Sequence, residues 1–501
     1  MREVINTLPL FLLIFIGISL LSLEIFSKKR EFSINYITSG ISLIVISILS
    51  LFISLYHKVS SIPSIFALFN FDKFTYIFWS IITFFGGLSL LVSGEHLSKE
   101  GKERSEFYPI FIFTIVGTML FIGSNSTLLL YLGLEIMSLG SYILVIFRKN
   151  DKKGVEAGLK YFLIGAFSSA IFLYGLSILY GLSGSLNLSE IKRYIESTTF
   201  ITKHGLIYLS LFLILTGILI KVGAVPFHFW CPDLYQGAPI GVTIFLIVVV
   251  KSAVIGVMIR FLNILFGNIW ISSPPLGWAL IIWSISILTM TIGNLLAIKQ
   301  RELKRLLGFS SISHLGYMLI GILSAYKFTS SQELSSTTKL KLIEGPISSI
   351  LFYLIAYGSS MVLALSILSL FSDKNGEHTD LEDIKGLWKR KPSLAFLMTV
   401  SMLSLLGIPI FSGFFAKFYL FKWGIETDIL YLVIIALINT VISAYYYLKV
   451  VVYIYMKKGE KKSNPISLMN FTGLTIFISA FLTILLGIFP ESLLKLFKEL
   501  F

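Results

Sequence analysis

The sequence predicts an all-α protein that crosses a membrane about fourteen times. Of its 501 residues, 55% are hydrophobic and only 14% are charged, whereas a soluble domain carries about 25% charged residues. The apolar residues also occur in runs of about 20, the length that an α-helix needs to span the hydrocarbon core of a bilayer. This composition excludes a water-soluble multidomain enzyme and a disordered chain.

Fourteen such apolar runs follow one another along the chain. They cover residues 8–26, 34–56, 74–94, 108–124, 127–147, 158–182, 206–230, 239–262, 277–298, 312–326, 347–371, 393–423, 429–456 and 468–489. The first run lacks an early basic region and a small-residue cleavage site. We therefore expect a retained helix there and not a signal peptide.

The basic residues predict the orientation in the membrane. Lys and Arg outnumber Asp and Glu by 41 to 27, which gives a net charge of +14. An even number of spans places both termini on one side, where the loops hold 13 Lys and Arg against 23 on the opposite side. Because short cytoplasmic loops are enriched in Lys and Arg, we expect the richer side in the cytoplasm and both termini on the opposite side of the membrane. Membrane-facing basic loops explain the charge better than nucleic-acid binding, so we expect no nucleic-acid partner.

Four ionisable residues lie within predicted spans. Glu135 is in the fifth span, Lys221 in the seventh, Lys251 in the eighth and Lys417 in the twelfth. A charge at mid-membrane costs at least about 2.5–3.5 kcal/mol on insertion scales, so each needs a reason to be there. We interpret these four as a proton pathway, because lysines do not supply the oxygen ligands that sodium prefers. The alternative is that they snorkel or pair for structural reasons only.

Other polar residues are weaker candidates. Lys160 and Lys449 lie close to helix ends, where snorkelling is the better explanation, although Lys160 could also serve as a relay. His314, at the start of the tenth predicted span, and His228 are possible relays, because histidine titrates near neutral pH. A lone histidine of this kind is as often a structural hydrogen-bonding group.

Two predicted spans are interrupted by glycine and proline. The seventh contains Gly223 and Pro226, and the twelfth contains Gly407 and Pro409. Proline removes a helical donor and leaves backbone groups free, and such breaks in a membrane commonly border a cavity or an ion site. A simple kink is the alternative, but a lysine close to each break favours a transport pathway.

The position of the two breaks predicts an internal repeat. Spans four to eight and spans nine to thirteen each form a set of five in which the fourth member is broken. Because five is odd, the second set starts from the opposite face, which gives two inverted repeats. The predicted units are therefore three N-terminal helices (1–107), the first repeat (108–263), the second repeat (264–456) and a last helix with the C-terminus (457–501).

The sequence offers no site for a redox centre or a nucleotide. Its one cysteine, Cys231, excludes internal disulfides, Cys-ligated iron–sulfur clusters and Cys-rich zinc sites. Phosphate-binding glycine loops, Walker patterns and metal-binding histidine spacings are missing too. We expect this chain to bind no cofactor and to take its energy from a gradient or from partner subunits.

Several segments resemble one known family, the antiporter-like membrane subunits of respiratory complex I and of multi-subunit sodium/proton antiporters. The specific segments are KVGAVPFHFWCPDLYQGAPIGVTIFL, KQRELKRLLGFSSISHLGYMLIG and SLLGIPIFSGFFAKFYLF. Within the family, LYLGLEIMSLGSYILV and GLKYFLIGAFSSAIFLYGLSILYG are most similar to the subunit N group of NADH:quinone oxidoreductase. The resemblance covers spans four to thirteen.

The resemblance implies a proton-translocating subunit in which Glu135 pairs with Lys221, and Lys251 and Lys417 continue the path. Subunit M has a glutamate where this chain has Lys417. The family further implies partner subunits that hold NAD, FMN, iron–sulfur clusters and quinone, with subunits M and K as neighbours in the lipid bilayer. The alternatives are a cation/proton antiporter subunit, a subunit of a membrane-bound hydrogenase-type complex, and a purely structural membrane subunit.

Overall fold

The computed structural model is helical across the residues that it describes, which are 2–26, 32–56, 68–197, 201–266, 278–327, 336–373, 376–458 and 470–500. These residues form twenty α-helices and one π-helical turn, with isolated bridges between loops as their only β-type pairing. The helices are α1 (Arg2–Phe26), α2 (Phe32–Tyr56), α3 (Lys73–Glu100), α4 (Phe107–Gly123), α5 (Thr127–Val145), α6 (Lys152–Ser183), α7 (Leu188–Ser197), α8 (Ile201–Val222), α9 (Cys231–Gly237), α10 (Ile240–Ile244), α11 (Lys251–Phe266), α12 (Trp278–Ile298), α13 (Leu303–Lys327), α14 (Ser336–Ser369), α15 (Leu387–Arg390), α16 (Pro392–Leu406), α17 (Ser412–Glu426), α18 (Leu430–Tyr455), α19 (Phe471–Ile488) and α20 (Pro490–Leu500).

The described helices fit a protein that crosses the membrane many times. Twelve helical stretches are long and apolar enough to span a bilayer, and α4 and α16 are shorter apolar helices. Together they correspond to the fourteen predicted runs. The prediction of an all-α polytopic membrane protein is confirmed.

Both predicted breaks are present. The seventh span consists of α8, which ends at Val222, followed by a non-helical segment and the short α9. The twelfth span consists of α16 and α17, which are separated by residues 407–411. The eighth span is continuous but contains a π-helical turn, Phe245–Val250, immediately before Lys251. That turn was not predicted, because its six apolar residues carry no distinctive pattern.

The two sets of five spans pack in corresponding ways. In the first set α4 packs on α5, α5 on α6, and α6 on the broken α8–α9. In the second set α12 packs on α13, α13 on α14, and α14 on both halves of the broken α16–α17. Each broken span therefore lies against the third helix of its own set. The boundaries proposed for the four units remain predictions.

The centre of the molecule is formed by four stretches of helix. The spans Ile240–Leu262 and Leu303–Ala325 are completely buried within the protein, and Glu344–Ser369 and Lys73–Glu100 are nearly so. The outer spans, such as Lys152–Ser183 and Leu430–Tyr455, bury less than half of their residues. The candidate residues Lys251 and His314 thus lie on the most enclosed helices.

Several helices extend further than the sequence predicted, and in α3 and α13 the additional turns carry buried charges. The third span was expected to end at Gly94, but α3 continues through Glu95 and His96 to Glu100. The tenth was expected to begin at Ile312, but α13 begins at Leu303. Charged residues suggested loops at both places, yet Glu95, His96, Glu100 and Lys304 are buried and paired within the protein. His314 consequently lies near the middle of α13 and not at its start.

Candidate functional site

Gly223 follows the last residue of α8 and lies two residues after the candidate Lys221. Its φ of +70° is left-handed, and a Cβ at this position would lie 2.0 Å from Sγ of Cys231. Only glycine avoids both problems. The following peptide bond, Val225–Pro226, is cis, and the Val225 N–H donates to Oγ1 of Thr289 on α12 at 3.1 Å. A neighbouring helix thus accepts a backbone N–H that the break has freed.

Lys221 is buried against one face of α5. Its Nζ donates to the Ser138 hydroxyl at 2.8 Å and to the Tyr142 hydroxyl at 3.2 Å. Glu135, Ser138 and Tyr142 are spaced i, i+3 and i+7, so they share that face. Glu135 is close enough to act electrostatically on Lys221. Nevertheless, its buried Oε1 has no hydrogen-bond partner among the described residues.

The fifth-helix and seventh-helix candidates are therefore brought together, but not as a direct ion pair. Ser138 and Tyr142 contact Lys221 where the sequence pattern predicted Glu135 alone. Their i+3 and i+7 spacing from Glu135 was the available signal in the sequence, and it was missed.

Lys251 follows the π-helical turn and faces α13. It is 3% exposed, and its Nζ donates to the backbone oxygen of Ser311 at 3.0 Å and to its hydroxyl at 2.7 Å. The ammonium group also lies 5.6 Å from the centroid of the Tyr235 ring, within the range of a cation–π contact. Lys251 is thus held by neutral groups on two different elements.

His314 lies one turn beyond Ser311 on α13 and has a partner at each ring nitrogen. Nδ1 is 2.6 Å from the Tyr353 hydroxyl, and Nε2 is 3.1 Å from the Tyr447 hydroxyl. The charges of Lys251 and Lys417 both act on it. His314 is therefore within electrostatic range of both the eighth-span and the twelfth-span candidate, as expected of a relay.

Lys417 closes the break in the twelfth span. Its Nζ donates to the backbone oxygens of Leu405 and Leu406, at 3.1 and 2.8 Å, which are carbonyls left without helical donors where α16 ends. Gly407 allows the lysine side chain to approach these carbonyls. Its φ of +92° is left-handed, and a Cβ at this position would lie 3.2 Å from Cδ of Lys417. Pro409 is exposed in the connecting segment.

A small cavity lies beside His314. Its accessible volume is about 10 Å³, close to the minimum for a single water molecule. The Tyr357 hydroxyl is buried and has no hydrogen-bond partner among the described residues. The lining residues are His314, Tyr353, Ala356, Tyr357, Ser360, Ser404, Leu405, Gly413 and Ala416.

The weaker candidates lie outside this line. The Lys160 side chain is 43% exposed and pairs with Glu156 at 2.7 Å and with Asp233 at 2.9 Å. Asp233 also pairs with Arg305 at 2.6 Å. Lys160 therefore forms part of a peripheral ion-pair group.

Lys449 and His228 are half-buried. Lys449 donates to the backbone oxygen of Gln300 at 3.0 Å. Nδ1 of His228 is buried and has no hydrogen-bond partner among the described residues. Neither residue contacts the three central lysines, and a relay role for His228 remains a prediction.

A buried group of charges that the sequence pattern did not reveal lies at one end of the bundle. We call it the Glu377 cluster; its members are His96, Glu100, Arg148, Lys304 and Glu377. Arg148 pairs with Glu377 and, at 3.3 Å, with Glu100. Lys304 pairs with Glu377, and His96 lies 3.5 Å from each carboxylate. Burial raises the pKa of Glu377, but Lys304 and Arg148 outweigh it and hold that pKa at about 2.

Three members of the Glu377 cluster have metal-ligand side chains. One ligand atom each of His96, Glu100 and Glu377 lies within 4.8 Å of the others. Both carboxylates are already paired with cations, because Arg148 binds the two of them and Lys304 binds Glu377. A divalent ion would have to enter beside two positive charges, so the arrangement suits an internal ion-pair network better than a metal centre.

An open cavity of about 800 Å³ lies directly beside the cluster. Arg148 and Glu377 contribute to its floor, and its walls carry both basic and acidic side chains, among them Lys102, Lys153 and Asp151. Its balanced charge does not select for an anion or a cation.

Comparison with known proteins identifies the family. Residues 124–443 match the family described as NADH:quinone oxidoreductase/Mrp antiporter, TM. The chain belongs to this family. A curated relative, NADH-quinone oxidoreductase subunit N 1 of Sorangium cellulosum (strain So ce56), is 36% identical over 426 residues. That alignment covers 84% of this chain and 81% of the relative.

Chains in solved structures have the same fold. A chain in respiratory complex I from Thermus thermophilus with bound Aureothin has a TM-score of 0.75 and 27% identity, with 97% of this chain and 98% of that chain covered. A chain in the Mrp complex from Dietzia sp. DQ12-45-1b has a TM-score of 0.81 at 18% identity, covering 99% of this chain and 97% of that one. At that identity the second match shows the fold alone.

These findings confirm the resemblance to subunit N of NADH:quinone oxidoreductase that the sequence segments carried. They do not test the individual residues of the pathway. The roles of Glu135, Lys221, Lys251 and Lys417 rest on the geometry described above and are proposals.

Proposed function

We propose that this chain translocates protons in the membrane arm of an NADH:quinone oxidoreductase, with electron transfer taking place in partner subunits. The observation that carries the proposal is the series of three buried lysines, Lys221, Lys251 and Lys417, each beside a helix break or a π-helical turn. Burying charged groups is costly, and a packing role would be served as well by apolar residues. A function in charge movement accounts for all three positions together.

The hydrogen bonds of the lysines suit proton transfer. Each Nζ donates only to hydroxyl or backbone carbonyl oxygens, and no carboxylate lies within ion-pairing distance among the described residues. A lysine in such surroundings can release its proton without leaving an unpaired carboxylate behind. Hydroxyl groups beside the ammonium can accept and pass on that proton, whereas carbonyl oxygens only hold the lysine in place.

The second half of the path follows from the contacts of His314. A proton released by Lys251 reaches the Ser311 hydroxyl, and His314 lies one turn further along the same helix. The imidazole can take a proton at one nitrogen and release it from the other. The small cavity beside the ring, with the Tyr357 hydroxyl facing it, leads towards the break that Lys417 closes.

Glu135 controls the first half of the proposed proton path, which begins at Lys221. Its charge acts on Lys221 from the same face of α5 that carries Ser138 and Tyr142. A change in the distance between Glu135 and Lys221 would decide whether the lysine keeps its proton, so the two groups titrate as a coupled pair. The break at Gly223 supplies a place where α8 can move.

The proposed setting is the cytoplasmic membrane of a bacterium, with both termini on the periplasmic side. Partner subunits would hold NAD, FMN, iron–sulfur clusters and quinone, while this chain itself binds none of them. We expect membrane-arm subunits of types M and K as its neighbours. The family also includes Mrp antiporter subunits, and redox-driven pumping is what distinguishes the proposal from that alternative.

The test uses the intact complex in inverted membrane vesicles. Lys221→Ala and Glu135→Ala are each expected to lower the number of protons pumped per electron severely, while the amount of complex, measured by NADH oxidation with an artificial acceptor, stays normal. Lys192→Met is the control, because the Lys192 side chain is 45% exposed and lies on the peripheral helix α7. Normal pumping in both pathway variants would refute the proposal. Pumping that needs a sodium gradient and no NADH would favour the antiporter alternative.

A further inference from the structure

The carboxylate of Glu377 contacts groups from four separate parts of the fold. It accepts hydrogen bonds from Arg148, which follows α5, and from Lys304 in the first turn of α13. Its Oε1 also accepts the backbone N–H of Ile240, the first residue of α10, at 3.0 Å. His96 of α3 lies 3.5 Å away. One side chain from the segment after α14 therefore joins four helices.

Three of these helices carry the proposed proton pathway. α5 carries Glu135 and the hydroxyls that hold Lys221, and Arg148 lies just beyond its end. α13 carries Ser311 two turns, and His314 about three turns, after Lys304. The helix that begins at Ile240 continues through the π-helical turn to Lys251. The ends of the helices that bear the pathway thus meet at one carboxylate.

The contact with Ile240 fixes the beginning of the helix that carries Lys251. The first N–H groups of a helix lack internal partners and attract negative charge, and Glu377 supplies both an acceptor and that charge. Lys304 strengthens the same junction, because its Nζ also donates to the backbone oxygens of Gln236 and Ala238 at 2.8 and 2.7 Å. The turn between α9 and α10 is therefore held from both sides.

Charge balance within the cluster depends on Glu377. Arg148 and Lys304 pair with Glu377, and Arg148 and Lys102 pair with Glu100. His96 lies 3.5 Å from each carboxylate, Asp151 lies 3.9 Å from Arg148, and Glu302 is nearby. Removing one carboxylate leaves buried positive charge without compensation, which is strongly unfavourable. The open cavity of about 800 Å³ beside the cluster brings solvent to its edge.

We propose that Glu377 is a positioning residue for proton translocation, which holds the ends of α5, α10 and α13 in the register that aligns Lys221, Lys251 and His314. The inference rests on the proposed function of the chain. A positioning role also explains why the contacts of Glu377 join the two predicted repeats. Arg148 and Ile240 belong to the first predicted repeat, and Lys304 and Glu377 belong to the second.

The test compares Glu377→Gln with a matched control in the intact complex. Glutamine keeps the size of the side chain and an oxygen for the Ile240 N–H but removes the charge. The control is Glu95→Gln, because Glu95 is also a buried carboxylate, one residue from His96 on α3. It contacts Asn470 and the N–H of Thr472 at the start of α19, which carries no pathway residue.

Glu377→Gln is expected to lower the proton-to-electron ratio to that of Lys251→Met, with each ratio normalised to assembled complex. The alkaline limit of its pumping profile should move to lower pH, because uncompensated Arg148 and Lys304 repel an incoming proton. Glu377→Asp keeps the charge and should retain at least half of the wild-type ratio. Glu95→Gln should pump normally.

Three results would overturn the inference: a wild-type ratio and pH profile in Glu377→Gln, an equal loss in Glu377→Gln and Glu95→Gln, or an aspartate variant as impaired as the glutamine variant. The proposed function is tested separately by Lys221→Ala. If Lys221→Ala abolishes pumping while Glu377→Gln behaves as the wild type, the inference alone fails. If Lys221→Ala pumps normally, the proposed function fails whatever Glu377→Gln does.

Discussion

Replacing Gly223 by alanine tests whether the break in the seventh span is built around this glycine. A left-handed conformation costs a residue with a Cβ about 1–2 kcal/mol. The new Cβ would also lie 2.0 Å from Sγ of Cys231, far inside the ~3.5–4.0 Å at which nonbonded heavy atoms pack. Overpacking of this kind typically costs about 1–3 kcal/mol. The expected total for Gly223→Ala is therefore about 2–5 kcal/mol.

A second substitution separates the two contributions. Cys231→Ala removes the sulfur atom, so the double variant Gly223→Ala/Cys231→Ala should recover the overpacking part and keep only the backbone part. The comparison is a double-mutant cycle, with Cys231→Ala alone as its reference. Gly205→Ala, earlier on α8, is the matched control, because a Cβ at Gly205 meets no atom within 4 Å.

The assay measures two properties of the purified complex. The first is the temperature at which it loses NADH:quinone activity, which should fall for Gly223→Ala, recover in part in the double variant and stay unchanged or rise for Gly205→Ala. The second is the proton-to-electron ratio, which should fall as well, since Gly223 lies two residues from Lys221. A Gly223→Ala variant as stable as the wild type, or a double variant with no recovery, would refute the reasoning.

Two further predictions concern the contacts of Lys221 and the acid stability of the Glu377 cluster. Ser138→Ala removes the 2.8 Å acceptor of Lys221 and should slow NADH-driven pumping, measured by dye quenching in vesicles, without loss of assembled complex; an unchanged rate would show that the serine is not needed. Burial raises the pKa of Glu377, but Lys304 and Arg148 outweigh it and hold that pKa at about 2, below the usual 4.5. The stability that this carboxylate contributes is therefore complete above about pH 4.5 and is lost as the pH falls towards 2. Acid inactivation of the complex should show this loss in the wild type, and Glu377→Gln should lack that component.

The sequence was sufficient for the parts of the fold that depend on local composition. Hydropathy located all fourteen spans, because an uncharged apolar run of about 20 residues matches the thickness of a bilayer and exceeds what a soluble core helix needs. Glycine and proline located both breaks, since their effect on the backbone is local. Glu135, Lys221, Lys251 and Lys417 stood out because each interrupts an apolar run, and the structure places all four in the interior or at its edge.

The features that were missed depend on contacts between distant parts of the chain. Lys304 and Arg148 were counted as loop charges, although Glu377 pairs with both of them inside the protein. Hydropathy assigns the same cost to a charge whether or not it has a partner, so it ended α3 before Glu95 and began α13 too late. The partner of a buried charge becomes visible only when the helices are assembled.

The hydroxyl partners of His314 were hidden for the same reason. Tyr353 is 39 residues away in sequence and Tyr447 is 133 residues away. Tyrosine is common in this sequence, with 23 copies, so its presence in a span carries little information. The histidine was identified by its chemistry, but the network that orients it could not be.

The proposed proton path has continuous polar groups in one part and an apolar gap in another, and the gap bears on the mechanism. From Lys251 to Ser311 and on to His314, polar groups follow one another along a single face of α13. A small gap between Lys221 and α11 is lined in part by Leu134, Phe172 and Val254 and is too narrow for a water molecule. A proton cannot cross an apolar gap of this kind without a chain of hydrogen bonds. Transfer through this gap therefore requires a movement that admits water or brings the amines together, and the break after Lys221 is a place in α8 where such a movement can occur.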